Sequence, residues 1–209
     1  AYPEAETFAH VIGHVGPVSD RELDAPGGDD PLLQLPDFQI GKNGVEKIEE
    51  LANPDLTWHF IGHLQSNKTR VVAEYFDWVH TIDKLKTARR LSDQRPEGRP
   101  PLNICLQVNV DEEASKSGLS AAALPDLAAA CTELPNLRLR GLMCLPAMRA
   151  EFEDQRAPFA ALRRMAEELR QNGIDTDTLS MGMTADYRAT IFEGATIVRI
   201  GTALFGERR

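Results

Sequence analysis

From Trp58 onward the chain alternates between short apolar runs and stretches whose apolar residues recur every three or four positions. The runs at 59–64, 78–82, 102–110, 137–145, 178–183 and 196–205 predict strands. Helical spacing predicts helices at 68–76, 84–93, 121–134 and 185–193, and another carrying Phe152, Phe159, Leu162, Met165 and Leu169 with Gly173 as its stop. A Pro/Gly-rich turn separates two of the units at 95–101.

Strands that alternate with helices in this way predict a parallel α/β sheet or barrel. An eight-stranded barrel needs two more strands from residues 1–57. Helix signals occupy 45–52 and loop chemistry occupies 25–31, which leaves only 32–35 and 38–40 as short strand candidates. The two candidates lie too close together for the parallel crossover of about a dozen residues. Spacing alone therefore leaves a parallel α/β sheet or a barrel, expected as one domain over residues 1–209 with an abbreviated, irregular N-terminal region over 1–42.

Composition narrows the partners. A formal charge of -9 argues against a nucleic-acid or anionic-membrane surface, because either needs a basic face. A small anion remains compatible, since a pocket needs only a few local donors. Cys105, Cys131 and Cys144 have no metal-type spacing and predict reduced thiols rather than a disulfide framework or a metal site. No apolar run approaches the roughly 20 residues of a membrane span, and no leader pattern opens the chain, so a cytoplasmic location is expected.

The candidate chemistry sits where strands end. Leu179-Ser180-Met181-Gly182-Met183-Thr184 and Val198-Arg199-Ile200-Gly201-Thr202 put small and hydroxyl residues after two consecutive strands, the arrangement in which the last two strands of a barrel share a phosphate site. The plainer reading makes Ser180, Thr184 and Thr202 element caps. His59 and His63 stand near the end of another strand, as site residues or as groups that orient backbone and cap the next helix. The loop at 111–118 reads as solvated charge, with Lys116 as its candidate cation. Met143 is either pocket lining or core.

Residues 59–68, Ser115-Lys116-Ser117-Gly118, 141–147, 179–184 and 198–206 together strongly resemble the pyridoxal phosphate homeostasis protein family, which is related to the N-terminal barrel of alanine racemase. The resemblance covers residues 43–207 and implies a single (β/α)8 TIM-type barrel that binds pyridoxal 5′-phosphate (PLP). It implies that Ser180, Thr184, Gly201 and Thr202 hold the phosphate, that Arg199 faces the pyridine nitrogen, and that Asn43, Met143 and His59 join the cofactor-binding set. A permanent cation beside that nitrogen disfavours its protonation and leaves the ring a poor electron sink.

The departure is N-terminal. The family's Schiff-base lysine stands in a Val-Ser-Lys-Thr-Lys-Pro type segment, and this chain has no lysine before Lys42. The run Ile40-Gly41-Lys42-Asn43 resembles a later Phe-Gly-Glu-Asn strand end, with Lys42 either a substitute amine or a surface residue. The expected function is PLP buffering and delivery without turnover, with apo-PLP enzymes as recipients and a monomer as the working form. The rival expectations are a PLP-dependent amino-acid racemase and a barrel that binds another phosphorylated metabolite.

Overall fold

The computed structural model describes the backbone of residues 8–11, 14–17 and 39–43, and both backbone and side chains of 57–112 and 117–200. Its centre is a parallel sheet of β1 (Phe8–Val11), β4 (Thr57–Phe60), β5 (Trp78–Ile82), β6 (Leu102–Gln107), β7 (Leu137–Met143) and β8 (Thr178–Ser180), hydrogen-bonded in that order. Beside it, β2 (His14–Pro17) and β3 (Gln39–Asn43) form an antiparallel pair. From β4 to β8 each strand's neighbour in the sheet is the next strand in the chain, as βα units require. This is the α/β (β/α)8 barrel class, and the described residues supply six of its parallel strands.

The connecting helices are α1 (Thr69–Tyr75), α2 (Leu85–Gln94), α3 (Leu124–Thr132), α4 (Phe152–Gln171) and α5 (Tyr187–Phe192). Each buries a stripe set by the helical repeat: Ala88 and Leu91 on α2, Leu124, Ala128 and Cys131 on α3, and Phe159, Leu162, Ala166 and Leu169 on α4. These stripes meet Val79, Ile104, Leu139 and Leu142 in the main core. Arg95 fastens α1 to α2, because its guanidinium donates to the Ala73 and Phe76 carbonyls at 2.6 and 2.7 Å and so satisfies acceptors that the end of α1 leaves open.

Strands are shorter than their apolar runs. Beyond Phe60 and Ser180 the chain turns away through Gly62 and Gly182, both at positive φ (132° and 86°). The run at 196–205 yields a single parallel bridge, Ser180 to Ile197, within the described residues. The N-terminal expectation is corrected at two points: β1 at 8–11 and β2 at 14–17 stand where no strand was expected, because four residues each carry too little alternation to betray them. The candidate at 38–40 corresponds to β3, which pairs antiparallel with β2. The candidate at 32–35 lies outside the described residues.

A smaller cluster of Trp78, Cys105 and Met143, with Leu145 against it, holds no helical residue and lies on the opposite face of the sheet. In the same row of the sheet, Gln107 pairs with Met143 and Met143 with Ser180. That helix-free face carries the candidate chemistry.

Candidate functional site

The register of parallel strands brings distant residues together at the C-terminal end of the sheet. Ser180 ends β8 and is fully buried. The segment after α5 runs alongside it: Met181 N–H donates to the Ile197 carbonyl at 3.1 Å and Arg199 N–H to the Gly182 carbonyl at 3.2 Å. These bonds hold Arg199 over the end of the strand. Its guanidinium donates to Ser180 Oγ at 2.8 Å and to the Cys144 carbonyl at 2.9 Å, which ties it to β8 and to the end of β7 together.

Desolvation pulls the Arg199 guanidinium below the usual arginine range, while Cys144 and Asp186 oppose the shift. It stays charged at neutral pH, because arginine titrates far above it. Burial pushes the Cys105 and Cys144 thiols up to about 12, although Arg199 pulls both the other way. Neither thiol is a nucleophile at neutral pH.

Behind Ser180 lies a pair of imidazoles. His80 Nδ1 is 2.7 Å from Ser180 Oγ, and His80 Nε2 is 2.8 Å from His59 Nδ1. His59 stacks on Trp78 with centroids 5.2 Å apart and planes within 7°. Both histidines are buried, so His59 is neither a helix cap nor a solvent-facing group. His63, by contrast, is exposed.

Below this layer, Arg140 lies 4.7 Å over the Trp78 ring and forms a fork with Asp177, with Nη2 to Oδ2 at 2.7 Å. Its Nη1 donates to Asn103 Oδ1 at 3.0 Å.

The turn after β8 carries Thr184. Asp186 Oδ1 accepts from Met183 N–H at 2.6 Å, and Thr190 Oγ1 donates to the Asp186 carbonyl at 2.9 Å. The sequence 180–184 is thereby held as a tight strand-to-helix turn next to Arg199. Of the loop at 111–118, residues 113–116 lie outside the described residues, and Glu112 is exposed. Asp111 pairs with Arg149 at 2.6 Å and accepts from Ala147 N–H at 2.6 Å, which ties it to the segment after β7.

Four of the expected site residues, Ser180, Arg199, Met143 and His59, lie on the helix-free face or its C-terminal edge. Asn43 is elsewhere in the pairing scheme, opposite His14 in the two-stranded sheet. Gly201, Thr202 and Lys116 lie outside the described residues. His80 was missed, and its signal was its place in Trp78-Val79-His80, where it shares strand parity with Trp78 and projects beside it.

A cavity of about 620 Å³ opens beside the site, lined by Thr81, Gln107, Leu145, Lys84, Lys86 and Arg90 among others. It lies on the β4–β6 side, and neither Ser180 nor Arg199 lines it. Among the described residues there is no cluster of His, Cys, Asp and Glu fit for a metal ion, and no helix is long and apolar enough to cross a membrane.

Residues 39–209 match the family described as alanine racemase, N-terminal domain. The chain belongs to that family. It is 60% identical over 167 residues to the pyridoxal phosphate homeostasis protein of Pseudomonas aeruginosa, covering 80% of this chain and 71% of that one. Identity to the protein of the same name from Escherichia coli is 53% over 180 residues, covering 81% and 76%. Among solved structures, PipY of Synechococcus elongatus with PLP bound matches with a TM-score of 0.68 and 37% identity, covering 77% of this chain and 76% of PipY. An alanine racemase from Clostridium difficile shares the fold at 13% identity and a TM-score of 0.63, covering 78% of this chain and 43% of its own.

Proposed function

We propose that residues 1–209 form one PLP-binding barrel domain that stores the cofactor and hands it to apo-PLP enzymes. The observation that carries this reading is Arg199, a half-buried cation held against the strand ends of β7 and β8 by Ser180 and the Cys144 carbonyl. The names of the relatives and the PLP-bound PipY support it.

The donor set fits a phosphorylated pyridine. Hydroxyls at Ser180 and Thr184, with the turn between them, suit the phosphate, and the guanidinium suits a ring nitrogen that keeps its lone pair. Gly201, Thr202 and Asn43 complete the proposed set, with Met143 and His59 behind it. Bound PLP supplies a reactive aldehyde. The chain's own contribution is to hold the phosphate, to keep a positive charge at the ring nitrogen, and to exclude water on the side covered by Trp78, Cys105 and Met143.

Placing a cation there withholds the proton that strong carbanion stabilisation requires, which suits holding and handing over PLP, or at most racemase-like chemistry. In this reading the domain is a monomer and works in the cytoplasm, where three free buried cysteines suit a reducing compartment. Titration of the purified protein with PLP, followed by absorbance, tests the binding. Borohydride reduction with intact-mass and peptide analysis then identifies any lysine that joins it, Lys42 included. Sustained formation of D-alanine from L-alanine at enzyme-like rates would overturn the storage reading in favour of a racemase.

A further inference from the structure

Arg199, Ser180, His80 and His59 form an unbroken chain of contacts: 2.8 Å from Arg199 Nη1 to Ser180 Oγ, 2.7 Å on to His80 Nδ1, and 2.8 Å from His80 Nε2 to His59 Nδ1. Ser180, His80 and His59 are each at most 1% exposed. The first contact has a fixed direction, because a guanidinium can only donate. Ser180 Oγ therefore accepts from Arg199 and has one proton of its own to place.

With both rings neutral, the remaining two contacts can be satisfied in two ways. In the first, the Ser180 hydroxyl donates to His80 Nδ1, and His80 Nε2–H donates to His59 Nδ1. In the second, His59 Nδ1–H donates to His80 Nε2, and His80 Nδ1–H donates to Ser180 Oγ. Each residue carries one proton in both arrangements, and only its seat differs. The consequence falls on Ser180. In the second arrangement its oxygen accepts from Arg199 and His80 together, which leaves the hydroxyl proton available for an acceptor in front of the strand end.

We propose that His80 is a positioning residue, and that the His59–His80 pair sets the direction of the Ser180 hydroxyl, turning it outward when an anionic oxygen occupies the site. This rests on the reading that Ser180 belongs to the PLP site. An anionic acceptor gains a charge-assisted hydrogen bond only in the second arrangement, so it draws the pair into it. Trp78 keeps the rings in place during the exchange, stacked on His59 and tilted against His80 with centroids 5.8 Å apart.

The test reads the proton seats directly. In protein labelled with 15N-histidine, long-range 15N–1H correlation separates the N–H nitrogen of each ring from the bare one, and His59→Gln and His80→Gln variants assign the signals. Without ligand, His80 is expected as the Nε2–H tautomer; with PLP added, as Nδ1–H, with His59 moving from Nε2–H to Nδ1–H. PLP uptake is followed separately by absorbance. Uptake with the His80 tautomer unchanged overturns the relay and leaves the PLP reading standing. No uptake overturns the PLP reading and the relay with it.

A second arm uses affinity. His80→Asn keeps a polar group opposite Ser180 Oγ, whereas His80→Leu does not. The leucine variant is expected to bind PLP about tenfold more weakly than the asparagine variant, roughly the factor one net hydrogen bond is worth. Equal losses in two folded variants would mean that His80 only fills space.

Discussion

Gly182 and Gly173 offer a controlled experiment on the turn that shapes the site. Both have positive φ, 86° and 82°. They differ in what a side chain would meet. A methyl group at Gly173 finds nothing within 4 Å, whereas one at Gly182 runs into the side chain of Thr190, with Cγ2 at 2.7 Å and Cβ at 2.9 Å. Thr190 is fully buried and its hydroxyl is tied to the Asp186 carbonyl, so it has little freedom to withdraw. Gly173→Ala should therefore cost only the left-handed backbone penalty of about 1–2 kcal/mol. Gly182→Ala should add overpacking of about 1–3 kcal/mol, for a total of roughly 2–5 kcal/mol.

Equilibrium urea unfolding of both variants measures the difference, with unchanged m-values as the condition for comparing them. Thr190→Ala in the Gly182→Ala background should recover part of the excess and do nothing comparable beside Gly173→Ala. PLP affinity gives a second readout, since the Gly182 carbonyl accepts from Arg199 N–H and a displaced turn moves the guanidinium. Equal costs for the two alanine variants would refute the steric argument.

Other consequences are simpler to measure. Arg199→Ala should weaken PLP retention and change the spectrum of what remains bound; an unchanged affinity and spectrum would remove Arg199 from the site. Cys105 and Cys144 are pushed by burial to about 12 and Cys131 to about 11, so none should react with iodoacetamide in the folded protein at mildly alkaline pH, and all three should react in urea. Hydrogen bonding from Arg140 holds the Asp177 carboxyl below the usual carboxylate range. Its contribution is therefore present above the unfolded value of about 3.9 and is lost as pH falls through the lowered folded value. Asp177→Asn should flatten the acid limb of the stability-pH curve by a small amount, because the carboxylate is half-exposed. An acid limb of unchanged slope would count against the fork.

The region from Trp58 to Glu193 was legible because its helices and strands bury one stripe or one whole run, and those patterns survive in one dimension. Strand ends were less so. Phe60 and Ser180 end their strands because the glycines two residues on turn the backbone, while the apolar character continues past them. The N-terminal region carried no such pattern, and β1 at Phe8–Val11 owes its place to pairing with Thr57–Phe60 rather than to any local signal. Ser180 and Arg199 were legible as a pair because they flank one short helix. His80 was not, because its partner Ser180 lies 100 residues away.

By itself, then, the sequence determined the alternation of strand and helix, the family and the residues able to meet an anion, since each is written in local spacing or residue type. Only the tertiary structure decided which of them touch. Arg199 spans 55 residues to reach the Cys144 carbonyl, and the two histidines lie 21 apart yet share a hydrogen bond. The physical reason is the sheet: adjacent parallel strands place side chains of like parity side by side, and the register that selects the neighbours is fixed by packing across the whole molecule.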